Sequence, residues 1–158
     1  MEHVDFTQAY REHYPAVLAF LRRRVPAERA EDLAAETFAR AWRNFETVKG
    51  PVLPWFYGVA RNVMREYYRK ESSTPELDTI DDHDSVGVDF SPNVDLSLDI
   101  NRALLTLGTA DREILTLHAW EGLSAAEIAA TLNLSAVNAR VRLHRARTRL
   151  AEALEKTS

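Results

Sequence analysis

The chain has 158 residues, which is enough for one ordinary domain or for two small helical ones. It contains no cysteine, which excludes disulfides, thiolate metal sites and cysteine nucleophiles. No apolar run approaches the roughly 20 residues that a membrane-spanning helix needs, and the acidic start of the chain lacks a signal-peptide pattern. We therefore expect a cytoplasmic protein without membrane insertion.

Charge is distributed unevenly along the chain, and the net charge of −4 hides this. Residues 1–70 carry 12 Lys and Arg against 9 Asp and Glu, and residues 102–158 carry 8 against 6. Residues 71–101 carry 9 Asp and Glu and no Lys or Arg. The pattern predicts two mildly basic halves joined by an acidic segment.

Helical periodicity predicts three helices in the first half. Apolar residues recur at steps of three and four from Phe6 to Val25, before Pro26. A loop is expected where Gly50 and Pro51 interrupt the pattern, and Pro54 suits the first turn of the third helix. The second helix is expected to turn one apolar stripe to the core: Ala30, Leu33, Ala34, Phe38, Ala41, Trp42 and Phe45. The third is expected to bury Phe56, Val59, Ala60, Val63, Met64 and Tyr67.

Periodicity is lost from residue 71 to about residue 96, where Ser, Thr, Pro, Gly and Asp dominate. Nine like charges favour an extended, solvated linker. A hard-metal site is the alternative for one cluster in this segment, although nothing in the sequence would hold the ligands rigid. That cluster is Asp78, Asp81, Asp82, His83 and Asp84. No cofactor is predicted.

The second half is helical again, and it contains a helix-turn-helix pattern. Thr109 is expected to cap one helix, and Gly122 to follow its end. Ser124 stands three residues before Glu127, which is the spacing of a capping box. Asn tolerates the left-handed conformation that a tight turn needs, so a turn is predicted at residues 133–135. Ser135 is expected to cap a last helix that runs towards Glu155.

The last helix is strongly basic. No acidic residue occurs from 128 to 151, where five arginines lie: Arg140, Arg142, Arg145, Arg147 and Arg149. Guanidinium groups match guanine edges and phosphate oxygens, so the helix is suited to a DNA major groove. A solvated basic face favoured by the helix dipole is the alternative, but it does not explain the capping box and the turn.

The third helix offers a second surface for nucleic acid. Arg61, Arg65 and Arg69 recur every four residues, with Asn62 beside them. Cations bind phosphates and aromatic faces stack on unpaired bases, so the combination indicates single-strand binding. The interleaved aromatic residues are Trp55, Tyr57, Tyr67 and Tyr68. The alternative for the aromatic residues is a place in the core, and it is favoured for Trp55, Phe56 and Tyr67.

The second helix carries an acidic edge. Asp32 and Glu36 are four residues apart, and Arg40 follows one turn later. A docking surface for another protein, an ordinary Glu36–Arg40 intrahelical pair and an acid–base pair are the possible interpretations. The last is disfavoured, because no nucleophile or metal-spaced His accompanies the carboxyl groups.

Several segments resemble the sigma factors of the extracytoplasmic-function (ECF) type. Residues 32–42 resemble the segment by which these proteins bind the clamp helices of RNA polymerase. Residues 55–62, with residues 68–70, resemble the helix that reads and opens the −10 promoter element. Residues 127–129 and 142–147 resemble the domain that reads the −35 element.

The resemblance implies an all-α fold of two small helical domains, sigma-2 over residues 1–70 and sigma-4 over residues 99–158, with a flexible acidic linker over residues 71–98. It implies that core RNA polymerase, through its clamp helices and flap, and promoter DNA are partners, and that an anti-sigma factor regulates the protein. It implies no enzymatic activity, and a place on the nucleoid when the protein is bound to polymerase. No stable homo-oligomer is expected.

The resemblance also implies roles for particular residues. Polymerase binding is assigned to Asp32, Leu33, Glu36, Phe38 and Arg40. Binding of the −10 element is assigned to Val48, Lys49, Gly50, Trp55, Tyr57, Arg61, Asn62, Arg65 and Arg69. Binding of the −35 element is assigned to Ser124, Ser135, Asn138, Arg140, Val141, Arg142, His144, Arg145 and Arg149. These roles require that Arg61 and Asn62 lie at the surface and that the C-terminal arginines are free of the chain's own carboxylates.

Two other classes of function stay open. One is a stand-alone helix-turn-helix regulator that binds a palindromic operator as a homodimer. The other is an adaptor that binds polymerase or an anti-sigma factor without contacting DNA. Two dissimilar basic surfaces fit a split promoter better than a palindrome.

Overall fold

The computed structural model describes residues 5–72 and 98–157. The metal alternative at Asp78–Asp84 and all but the ends of the predicted linker lie outside these ranges. The described residues form seven α-helices and no strand, so the all-α prediction is confirmed. The helices are α1 (Phe6–Arg22), α2 (Ala27–Asn44), α3 (Val52–Ser72), α4 (Leu98–Thr106), α5 (Thr109–Ala119), α6 (Ala125–Leu132) and α7 (Ala136–Thr157), with a short 3-10 turn at Phe45–Thr47.

Helices α1 to α3 form the N-terminal half, and their predicted apolar stripes meet in one core. Phe56 of α3 is fully buried, and its ring centroid lies 5.0 Å from that of Phe38 on α2. Alanines on the inner face of α2 allow its neighbours to approach closely. The other buried residues of this core include Val17, Phe20, Leu21, Ala30, Ala34, Ala41, Ala60 and Met64.

Trp42 does not face the core, although the stripe on α2 predicted that it would. Its side chain is 64% exposed, and its ring meets that of Phe6 in a T-shaped arrangement, at 5.3 Å between ring centroids. At 3.6 residues per turn, Ala41 and Phe38 already fill the inward face, so the next residue lies at its margin. The prediction for Trp42 was wrong.

Helices α4 to α7 form the C-terminal half, and its local signals are found almost as predicted. Gly122 has a φ of +72° and follows the end of α5. Thr109 does not cap α5, because the helix already begins at Thr109. The N-cap is Gly108, which has no side chain to accept a hydrogen bond. The core includes Leu104, Ile114, Leu115, Leu117, Ile128, Ala139, Leu143 and Ala146.

The turn between α6 and α7 depends on Asn133, which has φ 59° and ψ 50°. We expect Asn133→Ala to lower the free energy of unfolding by about 1 kcal/mol, because a Cβ without a local hydrogen-bonding group is disfavoured there. Asn133→Gly should be nearly neutral, since glycine adopts this conformation freely. Urea unfolding of both variants checks the prediction, and equal losses for Ala and Gly would contradict it.

The two halves are in direct contact. Helix α3 packs on α6, and the Thr131 hydroxyl donates a hydrogen bond of 2.8 Å to the Pro54 carbonyl. Gly58 permits this approach, because a Cβ at that position would lie 3.0 Å from the Thr131 carbonyl oxygen. No local pattern in the sequence predicts this contact, which covers part of the predicted −10 surface.

Candidate nucleic-acid and polymerase surfaces

The helix-turn-helix of the C-terminal half is built from local hydrogen bonds. The Ser124 hydroxyl accepts from the Glu127 N–H at 3.2 Å, and the Glu127 carboxylate accepts from the Ser124 N–H at 2.9 Å. The capping box predicted from the sequence is therefore present. The Ser135 hydroxyl accepts from the Asn138 N–H at 3.0 Å and caps α7, also as predicted. These caps fix where α7 begins and so which residues it presents.

Helix α7 has one buried face and a broad exposed one. Ala139, Leu143 and Ala146 face the core. The exposed face has two parts. Arg142, Arg145 and Arg149 line a cleft towards the N-terminal half. The other part surrounds a shallow groove, which Arg145 also borders. The residues around the groove include Arg140, Val141, His144 and Arg147. Asn138, Arg140, Val141, Arg142, His144 and Arg145, all predicted to bind the −35 element, are exposed.

Arg149 is not free. Its Nη1 donates to both carboxylate oxygens of Asp111 on α5, at 3.0 Å each. The requirement that every C-terminal arginine be free of the chain's own carboxylates is therefore not met at this residue, and Arg149 stabilises the C-terminal half instead. Asp111 and Arg149 are 38 positions apart on different helices, so no local spacing in the sequence predicts the pair.

The predicted −10 surface on α3 is only partly accessible. Asn62 is exposed, as required. Arg61 is not: its Nε and Nη2 both donate to the Glu113 carboxylate of α5, the second at 3.0 Å. Both side chains of this pair are 16% exposed. The requirement that Arg61 lie free at the surface therefore fails in this arrangement of the two halves.

Arg65 lies one turn after Arg61 and is half-buried. Burial lowers the pKa of Arg65, and repulsion from Arg61 and Arg69 acts in the same direction, while Glu113 opposes it. Arg69 is exposed at the far end of the helix. The three arginines thus form a repelling row, and a negatively charged ligand would relieve that repulsion.

Two aromatic residues assigned to the −10 element differ in accessibility. Trp55 is partly buried against Phe45 and Phe56. Tyr57 is only 4% exposed, and its ring stacks on Phe20 at 5.0 Å between centroids. Burial, with a contribution from Glu121 of the other half, raises the pKa of Tyr57 to about 12. Its predicted stacking on a DNA base is incompatible with this arrangement, because the ring already belongs to the interior.

The loop between α2 and α3 presents Lys49 and Gly50 to solvent, while Val48 is half-buried. Gly50 has a φ of +84°, and a Cβ there would meet nothing within 4 Å. The residue is therefore required for the backbone conformation and not for close packing. This loop is open on the outside, as a site for an extruded base needs to be.

The acidic edge of α2 is exposed at Asp32 and Glu36, while Leu33 is half-buried. Exposed Ala35 and Ala39 lie on the same side of the helix, and the exposed Trp42 lies one turn farther. Small residues between an acidic edge and a large aromatic side chain form a shallow surface that suits a partner helix. Helical periodicity placed Trp42 in the predicted core, so the sequence did not identify it as a surface residue.

Phe38 and Arg40 do not have the accessibility of binding residues. Phe38 is 5% exposed and packs on Tyr10 and Phe56, so its part in any docking surface is to support it from below. Arg40 donates to Glu36 at 2.9 Å, which is the expected intrahelical pair, and also to both carboxylate oxygens of Glu66 on α3 at 2.9 and 2.7 Å. These hydrogen bonds raise the pKa of Arg40, Glu66 contributing most, and Arg40 links α2 to α3.

The Arg40–Glu66 pair makes a pH-dependent contribution to stability. Hydrogen bonds from Arg40 hold the pKa of Glu66 below its ordinary value of 4.5. A carboxyl group with a lowered folded-state pKa stabilises the fold above its unfolded-state pKa and loses that effect as the pH falls through the folded value. At neutral pH we expect the free energy of unfolding of wild type to exceed that of Glu66→Gln by less than about 1 kcal/mol, since the pair is partly exposed. Chemical unfolding should show the difference shrinking below pH 4.5, and a difference independent of pH would contradict this account.

A cleft of about 550 Å³ lies between the two halves. It is lined by arginines from both, together with the two carboxylates of α5 that pair with Arg61 and Arg149. The charged lining residues are Arg61, Arg65, Arg142, Arg145, Arg149, Asp111 and Glu113. Five cations against two anions leave the cleft positive. Within residues 5–72 and 98–157, no group of three or more acidic or His side chains is placed to hold a metal ion, and no helix could span a membrane.

Comparison with known proteins agrees with this architecture. The family model described as sigma-70 region 2 matches residues 9–74, and that described as sigma-70, region 4 matches residues 97–150. RNA polymerase sigma factor YlaC of Bacillus subtilis is 30% identical over 99% of this chain and 96% of its own length. RNA polymerase sigma-E factor of Streptomyces coelicolor is 32% identical over 97% of this chain and 88% of its own.

Other matches differ in coverage. The probable RNA polymerase sigma factor RfaY of Xanthomonas campestris is 34% identical over 75% of this chain, but the match spans only 32% of that relative's length. Among solved structures, sigma factor RpoE in complex with the anti-sigma factor NepR from Bartonella quintana is 27% identical, with a TM-score of 0.65 over 96% of this chain and 97% of that one. CnrH in complex with the cytosolic domain of CnrY is also 27% identical, with a TM-score of 0.64 over 97% of this chain and 89% of that one. The chain belongs to the sigma-70 family of RNA polymerase sigma factors, as a member of its ECF group.

Proposed function

We propose that this protein directs core RNA polymerase to specific promoters for the initiation of transcription, and that it has no catalytic activity of its own. One observation carries the proposal most directly. A capped helix-turn-helix presents an arginine-rich face with no acidic residue, while a separate helix carries the second cationic row. Two such surfaces in one chain suit a promoter with two separated elements.

The C-terminal half would place α7 in the major groove of the −35 element. Ser124 and Ser135 lie at the N-termini of α6 and α7, where backbone N–H groups favour a DNA phosphate. Arg140 and Arg145 would contact phosphates or guanine edges, and Val141 offers an apolar contact such as a thymine methyl group. The buried face of α7 would hold these side chains in register.

The N-terminal half would bind the −10 element as an opened strand. The exposed loop with Lys49 and Gly50 would accept an extruded base, and Asn62 and Arg69 would contact the strand. Unpairing a base costs free energy, and capturing the extruded base lowers that cost. Arg61 would join this surface only after its pair with Glu113 is broken.

Polymerase would dock on α2, through the acidic edge at Asp32 and Glu36 and the shallow surface that ends at Trp42. The partner fitted to this surface is a helical element with basic residues, which matches the expected clamp helices, and the flap would bind the C-terminal half. Because α2 packs mainly on α1 and α3 and its acidic edge is exposed, this docking would not require the halves to separate.

An anti-sigma factor is the regulatory partner that we infer. Support comes from the two structural neighbours, which are described as complexes of a sigma factor with the anti-sigma factor NepR and with the cytosolic domain of CnrY. The proposed setting of the protein is the cytoplasm, where it would associate with the nucleoid through polymerase.

Transcription with purified core polymerase over a promoter library tests the proposed function. The expected result is transcripts whose promoters share two elements separated by a fixed spacer, with none from core enzyme alone. Gel filtration of the free protein tests the main rival, because a stable homodimer with binding to a palindromic site would favour a stand-alone regulator. Absence of transcripts from every promoter would refute the proposal.

A further inference from the structure

The cleft between the two halves has the size of a small-molecule site and an excess of positive charge. Its volume of about 550 Å³ lies within the range of clefts that bind small ligands. Five guanidinium groups and two carboxylates line it. Charges of one sign in a confined space raise the local concentration of ions of the opposite sign, so the cleft favours a small anion.

Two of the five arginines are already paired. Arg61 donates to the Glu113 carboxylate through two hydrogen bonds, and Arg149 donates to Asp111. Each carboxylate is therefore neutralised at close range by a guanidinium of the same lining. The pairs leave the charge of the other three arginines available to a ligand.

The three remaining arginines come from opposite walls of the cleft. Arg65 lies on α3, while Arg142 and Arg145 lie three residues apart on one side of α7. Among residues 5–72 and 98–157, none of the three is paired with a carboxylate. Arg65 is half-buried, so water and salt screen its charge less than that of an exposed side chain. An anion that contacts both walls would relieve the repulsion among these cations.

The two walls are held at a fixed spacing. Arg24 of the first half donates to the fully buried Glu121 carboxylate of the second half at 2.6 and 3.0 Å. The hydrogen bond from Thr131 to the Pro54 carbonyl adds a contact between α6 and α3. A site whose walls are fixed before binding loses less conformational entropy when a ligand enters.

The number of donors in the cleft favours linked phosphates over a single one. A guanidinium binds phosphate oxygens with two parallel hydrogen bonds, so three arginines require about six acceptor oxygens. A single phosphate group offers about three. Two half-buried leucines, Leu132 and Leu134, line the same cleft. They offer an apolar surface on which the base of a nucleotide would lie.

We propose that the cleft binds a small polyphosphate, with Arg65 on one wall and Arg142 and Arg145 on the other, and that this ligand competes with promoter DNA. The competition rests on the proposed function, in which Arg145 contacts the −35 element. The binding of the ligand does not rest on it. Two ligands that use the same side chain weaken each other's binding by the same factor.

Calorimetric titration of the free, full-length protein with sodium triphosphate tests the site. We expect saturable binding, with orthophosphate at least roughly 30-fold weaker because it accepts fewer charge-assisted hydrogen bonds. Arg142→Gln with Arg145→Gln should weaken triphosphate binding by at least roughly 30-fold. The matched control is Arg140→Gln with Arg147→Gln, which removes two charges from the groove side of α7 and should change binding by less than about threefold. Equal losses in the two double variants would overturn the proposal, since they indicate unspecific attraction.

Arg65→Gln tests whether the ligand also contacts the α3 wall. It should weaken triphosphate binding by at least roughly 10-fold, because one charge-assisted two-point contact is lost. Far-UV circular dichroism should show unchanged helix content, since Arg65 makes no ion pair among the described residues. Wild-type affinity in Arg65→Gln would overturn the proposal, because the ligand would then bind α7 alone.

A comparison of ATP with triphosphate distinguishes the two sources of a phosphate chain. Tighter binding of ATP would assign the nucleoside to the surface of Leu132 and Leu134. Equal affinity would assign recognition to the phosphate chain alone. Both results support the site, and a failure of both compounds to bind would overturn it.

A mobility shift with core polymerase and promoter DNA, without nucleoside triphosphates and with magnesium in excess, tests the competition. Triphosphate at about ten times its dissociation constant should weaken the apparent affinity for the promoter roughly 10-fold. Orthophosphate at the same ionic strength is the control. Unchanged promoter affinity would overturn the competition. Failure of the wild-type holoenzyme on every promoter without triphosphate would instead overturn the proposed function and leave the calorimetric binding intact.

Discussion

Arg140→Ala with Arg145→Ala should reduce promoter-directed transcription by the holoenzyme at least roughly 30-fold, since each contact of Arg with base or phosphate contributes about 1–3 kcal/mol. Both side chains are exposed beside the groove of α7, and no carboxylate pairs with either among the described residues. The loss should depend on the −35 element, so a promoter with that element scrambled should show little further loss. Multi-round transcription on matched and scrambled templates measures both effects.

The matched control also removes two positive charges, but from positions outside the helix-turn-helix. Arg102 on α4 and Lys156 near the end of α7 are exposed and lie outside the helix-turn-helix, so Arg102→Ala with Lys156→Ala should leave transcription within about twofold of wild type if only net charge changes. Equal losses for both double variants would point to unspecific attraction of DNA. Full activity of Arg140→Ala with Arg145→Ala would support the adaptor alternative, in which the protein does not contact DNA.

What the sequence could predict depended on how far apart the interacting residues are. The caps at Ser124 and Ser135 and the turn at Asn133 were predictable, because their hydrogen bonds join residues within one helical turn and the required chemistry is local. The pair of Glu36 and Arg40 was predictable for the same reason.

The pairs that determine the accessibility of the site were not predictable in this way. Arg61 and Glu113 are 52 positions apart, and Arg24 and Glu121 are 97 apart. A single sequence shows that all four side chains are charged, but not which ones meet. The same limit explains Tyr57: its spacing on α3 suggested a stacking surface, whereas burial against Phe20 and the nearby C-terminal half made it part of the interior.

The proposed surfaces differ in accessibility while the two halves are in contact. The docking surface on α2 is exposed at Asp32 and Glu36, whereas Arg61 on α3 is paired with Glu113 and largely covered. In the proposed function, polymerase can therefore bind α2 before Arg61 contacts the −10 element.

Charge reversal on α2 should weaken binding to core polymerase by roughly 100-fold. Asp32→Lys with Glu36→Lys would place two cations opposite the basic helical partner that the acidic edge predicts, and like charges brought together at an interface cost several kcal/mol. The carboxylates are exposed while the two halves are in contact, so the effect on binding does not require the halves to separate. Titration of labelled protein with core enzyme measures the dissociation constant.

The control for this variant makes the same change in net charge away from α2. Glu12 on α1 and Glu152 on α7 are exposed, and Glu12→Lys with Glu152→Lys should change the dissociation constant by less than about threefold if long-range attraction alone is altered. A third variant, Trp42→Ala, removes an exposed aromatic side chain without a change in charge and should weaken binding by about 10-fold or more if it anchors the partner helix. The double variant Asp32→Lys with Glu36→Lys removes the charge of the surface, and Trp42→Ala removes its apolar anchor. If both variants kept the affinity of wild type for core polymerase, the polymerase-binding surface would lie elsewhere.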